Sequence, residues 1–221
     1  MLNYYIILCL VIYPIHFVSA QDSHFFEGKL VYQTTTYYPN GKTDSTSMPK
    51  SEYYIKNGNI LYRLEDNSQS FMPDLGSILI LSEKGEKYNV SHAERKNYKL
   101  NTKMALDTNL RIERTNDTAV VLNYKCVKYI ITATNNQGGG KVNSEVWVTN
   151  YIRIKNVQKL ALLFGGKSDL LYNGNLDGIP LKLISTYPDG IKVMSEIVSV
   201  LEDILDNKLF TLNPKYEVVI E

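Results

Sequence analysis

Cysteine is almost missing from this chain: two residues in 221, at positions 9 and 126. Cys9 lies inside an apolar N-terminal run, so the body of the chain holds one thiol and cannot close an internal disulfide. Cys126 sits among Tyr124, Val127 and Tyr129, where a small buried hydrophobe fits better than a reactive thiol. Histidine is scarce as well. Beyond His16, only His24 and His92 remain, and neither stands at zinc-ligand spacing from the other or from Cys126. His92-Ala93-Glu94 lacks the Pro-Cys-x-x-Cys partner that deaminase chemistry requires. There is no Gly-x-Ser-x-Gly elbow for a nucleophilic serine. Gly138-Gly139-Gly140-Lys141 joins two strand-like segments, which argues for a hairpin tip and against a phosphate loop. An excess of charge of either sign is absent too, with 24 basic against 23 acidic side chains. Phosphate binding depends on a clustered basic surplus, so nucleic acid is excluded as an expected partner.

Long apolar runs are missing everywhere except at the start. Tyr4 to Val18 is nearly unbroken in its hydrophobicity and ends at Val18-Ser19-Ala20, followed by Gln21-Asp22. That arrangement predicts a secretory signal peptide over residues 1–20, a mature start near Ala20/Gln21, and a periplasmic or secreted location. The run is shorter than the roughly 20 apolar residues of a membrane span and is interrupted by Pro14 and His16, so no integral membrane segment is expected after cleavage. The 201 residues from 21 to 221 fit a single domain.

What the chain has in plenty is tyrosine, 17 residues, together with Thr and Val, and this composition leans toward strands. Short β-branched runs alternate with Asn-Gly, Asp-Gly and Lys-Gly-Glu turns, the rhythm of an antiparallel sheet. Phe26, Gly28, Leu30, Tyr32, Thr34 and Thr36 form one mainly apolar face of a long first strand. Asn57-Gly58 predicts a two-residue type I′ hairpin. Ile78 to Leu81 and Lys87 to Val90 follow, and 110–123 reads as another strand pair. The strongest strands are Tyr124 to Thr134 and Val142 to Thr149, and Ile179 to Tyr187 and Ile191 to Leu201 form a last hairpin around Pro188-Asp189-Gly190. Between these, Val157, Leu160, Ala161, Leu163 and Phe164 take helical spacing, bounded by Asn156 and Gly165-Gly166. Leu205 to Leu212 reads as irregular structure or one helical turn. About ten strands with one or two short helices result.

Five landmarks in this order carry a family resemblance: Phe26-Glu27-Gly28, Tyr-Lys-Cys-Val-Lys-Tyr from Tyr124, Glu-Val-Trp-Val-Thr from Glu145, Gly-Ile-Pro-Leu-Lys-Leu from Gly178, and an ending with Leu209-Phe210, Pro214 and Tyr216. They resemble an uncharacterised family of exported bacterial proteins with a fold similar to the lipoprotein carriers LolA and LolB. The resemblance implies a mainly β domain over 21–221, an open antiparallel half-barrel with a helical or loop lid on its concave face, around a hydrophobic cavity. The chain departs from the carriers in having no helical segment long enough for their usual lid helices.

The only available covers for such a face are 157–164 and 71–75. Phe71, Met72, Leu75, Leu160, Leu163 and Phe164 are therefore the expected ligand-binding residues, unless these side chains plug the sheet as solid core. The expected function is a non-enzymatic exported binding protein for a lipid, acyl chain or other apolar ligand, with no cofactor and no metal. An envelope module with a filled interior and a protein partner is the alternative, and a secreted hydrolase is third. For the last, Glu65-Asp66 and Glu202-Asp203 read more simply as solvated strand-end residues than as a carboxylate couple. Trp147, alone of its kind, alternates with Glu145 and Thr149 within a strand and reads as packing.

Overall fold

The computed structural model describes residues 25–45, 48–65, 76–100, 111–134, 141–156, 176 and 178–220. The leader, both lid segments and the glycine-rich tip at 135–140 lie outside the described residues. What is described is almost wholly strand. The elements are β1 (Gly28–Tyr37), β2 (Thr43–Asp44), β3 (Ser51–Lys56), β4 (Asn59–Leu64), β5 (Ser77–Leu81), β6 (Glu86–Ser91), β7 (Lys96–Leu100), β8 (Arg111–Val121), β9 (Tyr124–Thr134), β10 (Lys141–Thr149), β11 (Ile179–Thr186), β12 (Lys192–Glu202) and β13 (Glu217–Ile220), with a 3₁₀ turn at Asn207–Phe210.

All strands join one sheet in the order β13-β7-β6-β5-β4-β3-β1-β12-β11-β10-β9-β8, with β2 beside β1. Two meanders, β3 to β7 and β8 to β12, thus meet on the first strand. The ends of the order, β13 and β8, do not pair with each other, so the sheet is an open antiparallel half-barrel type and not a closed barrel. Every pairing is antiparallel except β13 with β7. Alternation sets the registers: Gly28 to Tyr32 pair with Ile55 to Ser51, and Lys56↔Asn59 closes the predicted hairpin. Asn57 (φ 52°) and Gly58 (φ 81°) occupy the left-handed region that a type I′ turn requires.

One expectation is corrected. Within the stretch read as a strand pair, Arg111–Val121 is a single edge strand, β8, that is irregular between Arg114 and Thr118 and turns at Leu122-Asn123 into β9. The Thr115 hydroxyl donates to the Lys128 carbonyl and accepts from the Asp117 amide, so the polar residues that resemble a turn form a bulge within the strand. A bulged, charged edge also discourages further strand addition. Besides the two-residue β2, two strands escaped the alternation altogether. β7 is Lys-Asn-Tyr-Lys-Leu and β13 is four residues of parallel edge, too polar or too short to announce themselves.

Candidate ligand-binding face

Registers place one set of side chains on a common face. Leu30 lies opposite Tyr53 and Val200, Tyr53 opposite Tyr62, and Tyr62 opposite Ile78. On the other side of β1, Tyr32 lies opposite Ile197, and further out Leu183, Val146 and Tyr129 stand in one row. These residues fall into two apolar clusters, one centred on Leu30, Ile55, Ile60, Leu181 and Ile197 and one on Tyr129, Ile131, Val146 and Val148. The face therefore extends from β5 to the β8 edge, where Ile112 joins the second cluster, and between the clusters it carries the hydroxyls of Thr34 and Ser195.

The sheet curls toward this face. The Tyr32 hydroxyl donates to the Pro180 carbonyl at 2.8 Å, although β12 lies between their strands. Two strand spacings amount to about 9.6 Å, which an upright tyrosine on a flat sheet does not bridge. Tyr32 meets Tyr53 edge to face at 5.4 Å, and Tyr53 meets Tyr62 at 5.0 Å. Burial pushes the Tyr32 phenol far up, so it stays a neutral donor.

One end of the trough is crossed by the segment after β10. Phe26 donates its amide to the Arg153 carbonyl at 2.7 Å, and Ile152 and Ile154 are buried in the larger cluster. Next, the Lys155 carbonyl abuts Gly58, where a Cβ would collide with it. This chord runs from β10 past β1 to the β3–β4 turn. The six residues from Asn150 to Lys155 reach at most about 20 Å when extended, yet the arc along the sheet is four to five strand spacings, about 19–24 Å. A chord of this length accords with the inward curl that the Tyr32–Pro180 bond requires.

The opposite face is built differently on its two halves. Over β4 to β6 the segment after β12 lies as a strap, packing Leu205, Leu209, Phe210, Leu212 and Tyr216 on Leu61, Leu79, Leu81, Tyr88 and Val90. Its start is pinned: the Lys56 ammonium binds Glu27 at 2.9 Å and donates to the Leu205 carbonyl, while the Leu205 amide donates to Glu27 at 2.9 Å. Its end meets His92 through the Tyr216 hydroxyl at 3.1 Å. Asn97, fully buried on β7 opposite Val218 of β13, has no hydrogen-bond partner for either amide atom among the described residues.

Nearby on β3, Glu52 collects an ion pair from Lys29, one from the Arg63 Nε at 3.1 Å, and the Tyr54 hydroxyl at 2.9 Å. Burial raises the carboxyl, and these donors outweigh it, leaving the pKa below the ordinary range. Lys29 and Arg63 also flank the Tyr54 ring, at 5.3 and 4.5 Å from its centroid. This is a self-neutralising structural network. On β9, Lys128 pairs with Glu145 at 2.9 Å and stands 5.6 Å from the half-buried Trp147 ring. Trp147 is a packing residue, as its strand position predicts. Cys126 is fully buried, and burial pushes its thiol up to about 11.

None of the six expected lid residues, Phe71, Met72, Leu75, Leu160, Leu163 and Phe164, falls within the described residues. Of the inner face itself, sequence reasoning found Leu30 and Tyr32 through the alternation of the first strand. It missed the tyrosine stack and the chord, because Ile152 and Ile154 flank Arg153 in a stretch with no regular period.

Comparison with known proteins follows the geometry. The structure of PNGF-II in space group P21 is similar over 88% of this chain, with 19% identity and a TM-score of 0.53, a likeness of fold alone. This chain spans about a third (32%) of that one. A DUF1329 family protein from Desulfovibrio piger ATCC 29098 aligns over 86% of this chain and 91% of its own, at 11% identity and a TM-score of 0.34, too low to bear on the fold. No curated protein matches significantly. Residues 26–216 match the family model described as a domain of unknown function, DUF4412, and the chain belongs to that family.

Proposed function

We propose that the protein is an exported, non-enzymatic binding protein that holds a lipid, acyl chain or other apolar ligand against the inner face of a carrier-like, LolA-type open sheet. The observation that supports this reading is the mainly apolar face, built of two clusters, on an unclosed sheet curled toward it. Apolar contact at about 25 cal/mol per Å² supplies affinity without any placed charge. The residues that would cover the ligand are Phe71, Met72, Leu75, Leu160, Leu163 and Phe164, and displacement of their segments would let it enter and leave. Organic extraction of the purified protein followed by lipid mass spectrometry tests the proposal. A stoichiometric apolar species is expected from the native protein and is expected to be lost from Leu160→Asp and Phe164→Asp proteins that keep the native circular dichroism. If those variants fail to fold, the two residues are core.

A second reading is favoured by a specific feature. Leu30, Ile55, Ile60 and Leu181 are wholly buried beside the tyrosine stack, so the trough over β1 to β4 is already packed at the chord end. An envelope module with a filled interior and a protein partner would look the same there. An extract without lipid would support that reading.

A further inference from the structure

At the β13 edge of the sheet, a buried polar group is left without compensation. Asn97 of β7 is wholly buried, and neither its Nδ2 donor nor its Oδ1 acceptor has a hydrogen-bond partner among the described residues. Register explains why. Residues paired across neighbouring strands share a face, so the amide is flanked by Val90 of β6 on one side and Val218 of β13 on the other, and a valine side chain neither donates nor accepts. A buried amide left unpaired destabilises the arrangement that buries it, and an occupant able to pair with it recovers that loss.

Of the two flanking strands, β6 is fixed. It pairs antiparallel on both sides, and Val90 belongs to the cluster under the strap. β13 is held by much less. It has four residues, pairs in parallel, the weaker ladder per residue, and stands at the end of the strand order with an open far edge. Val218 and Ile220 stay 50% and 80% exposed, so docking buries little of their apolar surface. The segment before β13 is anchored independently: Phe210 packs in the strap cluster, the Tyr216 hydroxyl meets His92, and the Tyr216 amide donates to the Asn213 carbonyl at 3.0 Å. β13 can therefore leave β7 while the strap stays on Leu79 and Tyr88.

We propose that β13 is a placeholder on a strand-addition edge, and that the partner of β7 is an extended segment of another protein that sets an Asn or Gln side chain opposite Asn97. Main-chain hydrogen bonds to β7 supply the affinity. The amide supplies the selectivity, because it presents an acceptor for Nδ2 and a donor for Oδ1 at once. It is independent of any ligand inside the trough. Two seven-residue peptides test the proposal on the full chain, one with the sequence of residues 215–221 and one with asparagine in place of Val218. Each is added up to millimolar concentration, the order at which a tethered resident competes, while hydrogen exchange is followed over 217–220 and β7. The asparagine peptide should release β13, seen as faster exchange at 217–220 with β7 still protected, at a concentration about fivefold or more below that needed with the unaltered sequence. Val218→Asn in the chain gives the resident strand the missing amide, so exchange at 217–220 should slow about fivefold or more and the asparagine peptide should lose its advantage. Val218 is half-exposed, so this variant keeps the fold. Asn97→Leu should make the two peptides equivalent. Equal potency of the peptides on the unaltered chain, release by neither, or unchanged exchange in Val218→Asn would each overturn the proposal, the last by showing that an internal water already serves Asn97.

Discussion

Glu52 shows how much one side chain can depend on its neighbours. Its carboxylate is nearly buried and survives as an anion only because Lys29, Arg63 and Tyr54 converge on it. The folded pKa is depressed, as are those of Glu27, held by Lys56, and Glu86, held by Lys99. A depressed carboxyl contributes stability that is complete above its unfolded value and is lost as pH falls through the folded one. Stability should therefore be flat near neutrality and decline as pH falls below the ordinary carboxyl value of 4.5. Chemical denaturation across that window checks it, with Glu52→Gln expected to lose about 1–3 kcal/mol at pH 7 and to show a shallower acid decline. The lone thiol gives a simpler expectation. With its pKa near 11 and no exposure, Cys126 should be silent to a thiol-disulfide reagent at pH 8 and titrate fully in denaturant. Prompt reaction of the native protein would contradict the burial.

Among the elements, the chord and the strap hold the sheet in its curled form from opposite faces. Gly58 serves two needs at once, the left-handed turn and the close approach of the Lys155 carbonyl. Gly58→Ala should cost about 1–3 kcal/mol through backbone strain alone, more if the chord must shift. Phe210 anchors the strap, so Phe210→Ala should remove about 3 kcal/mol. Hydrogen exchange should then accelerate first over 205–220 and β7, ahead of β1 and β12. Uniform acceleration would show that the strap is part of the global cooperative unit. Legibility followed period and turn chemistry. The Asn57-Gly58 hairpin, β9, β10 and the final β11–β12 pair were readable because β-branched residues and obligatory turn residues coincide there. β8 was misread because Thr115, Asn116 and Asp117 have turn chemistry but sit in a bulge, a choice made by pairing with β9. β7 and β13 derive their strand state from neighbours, which no local window contains. The candidate face was half readable, in Leu30 and Tyr32, since the stack with Tyr53 and Tyr62 depends on cross-strand register.

For the whole molecule, the arrangement separates tasks by surface. The strap covers the outer face of one meander, the pairs Lys128–Glu145 and Lys182–Glu196 lie over the outer face of the other, and the inner face is mainly apolar, with the Ser144–Ser185 and Thr34–Ser195 hydroxyl pairs among its side chains. The account stands on that inner face enclosing an apolar hollow open to a ligand. The most direct measurement is a fluorescence titration of organically stripped, refolded protein with an environment-sensitive apolar naphthylamine probe. The account predicts a saturable, blue-shifted signal at one site per chain that a long-chain lipid displaces. A linear, unsaturable response equal to that of a denatured control would mean that the trough is filled by the protein's own side chains, and would contradict it.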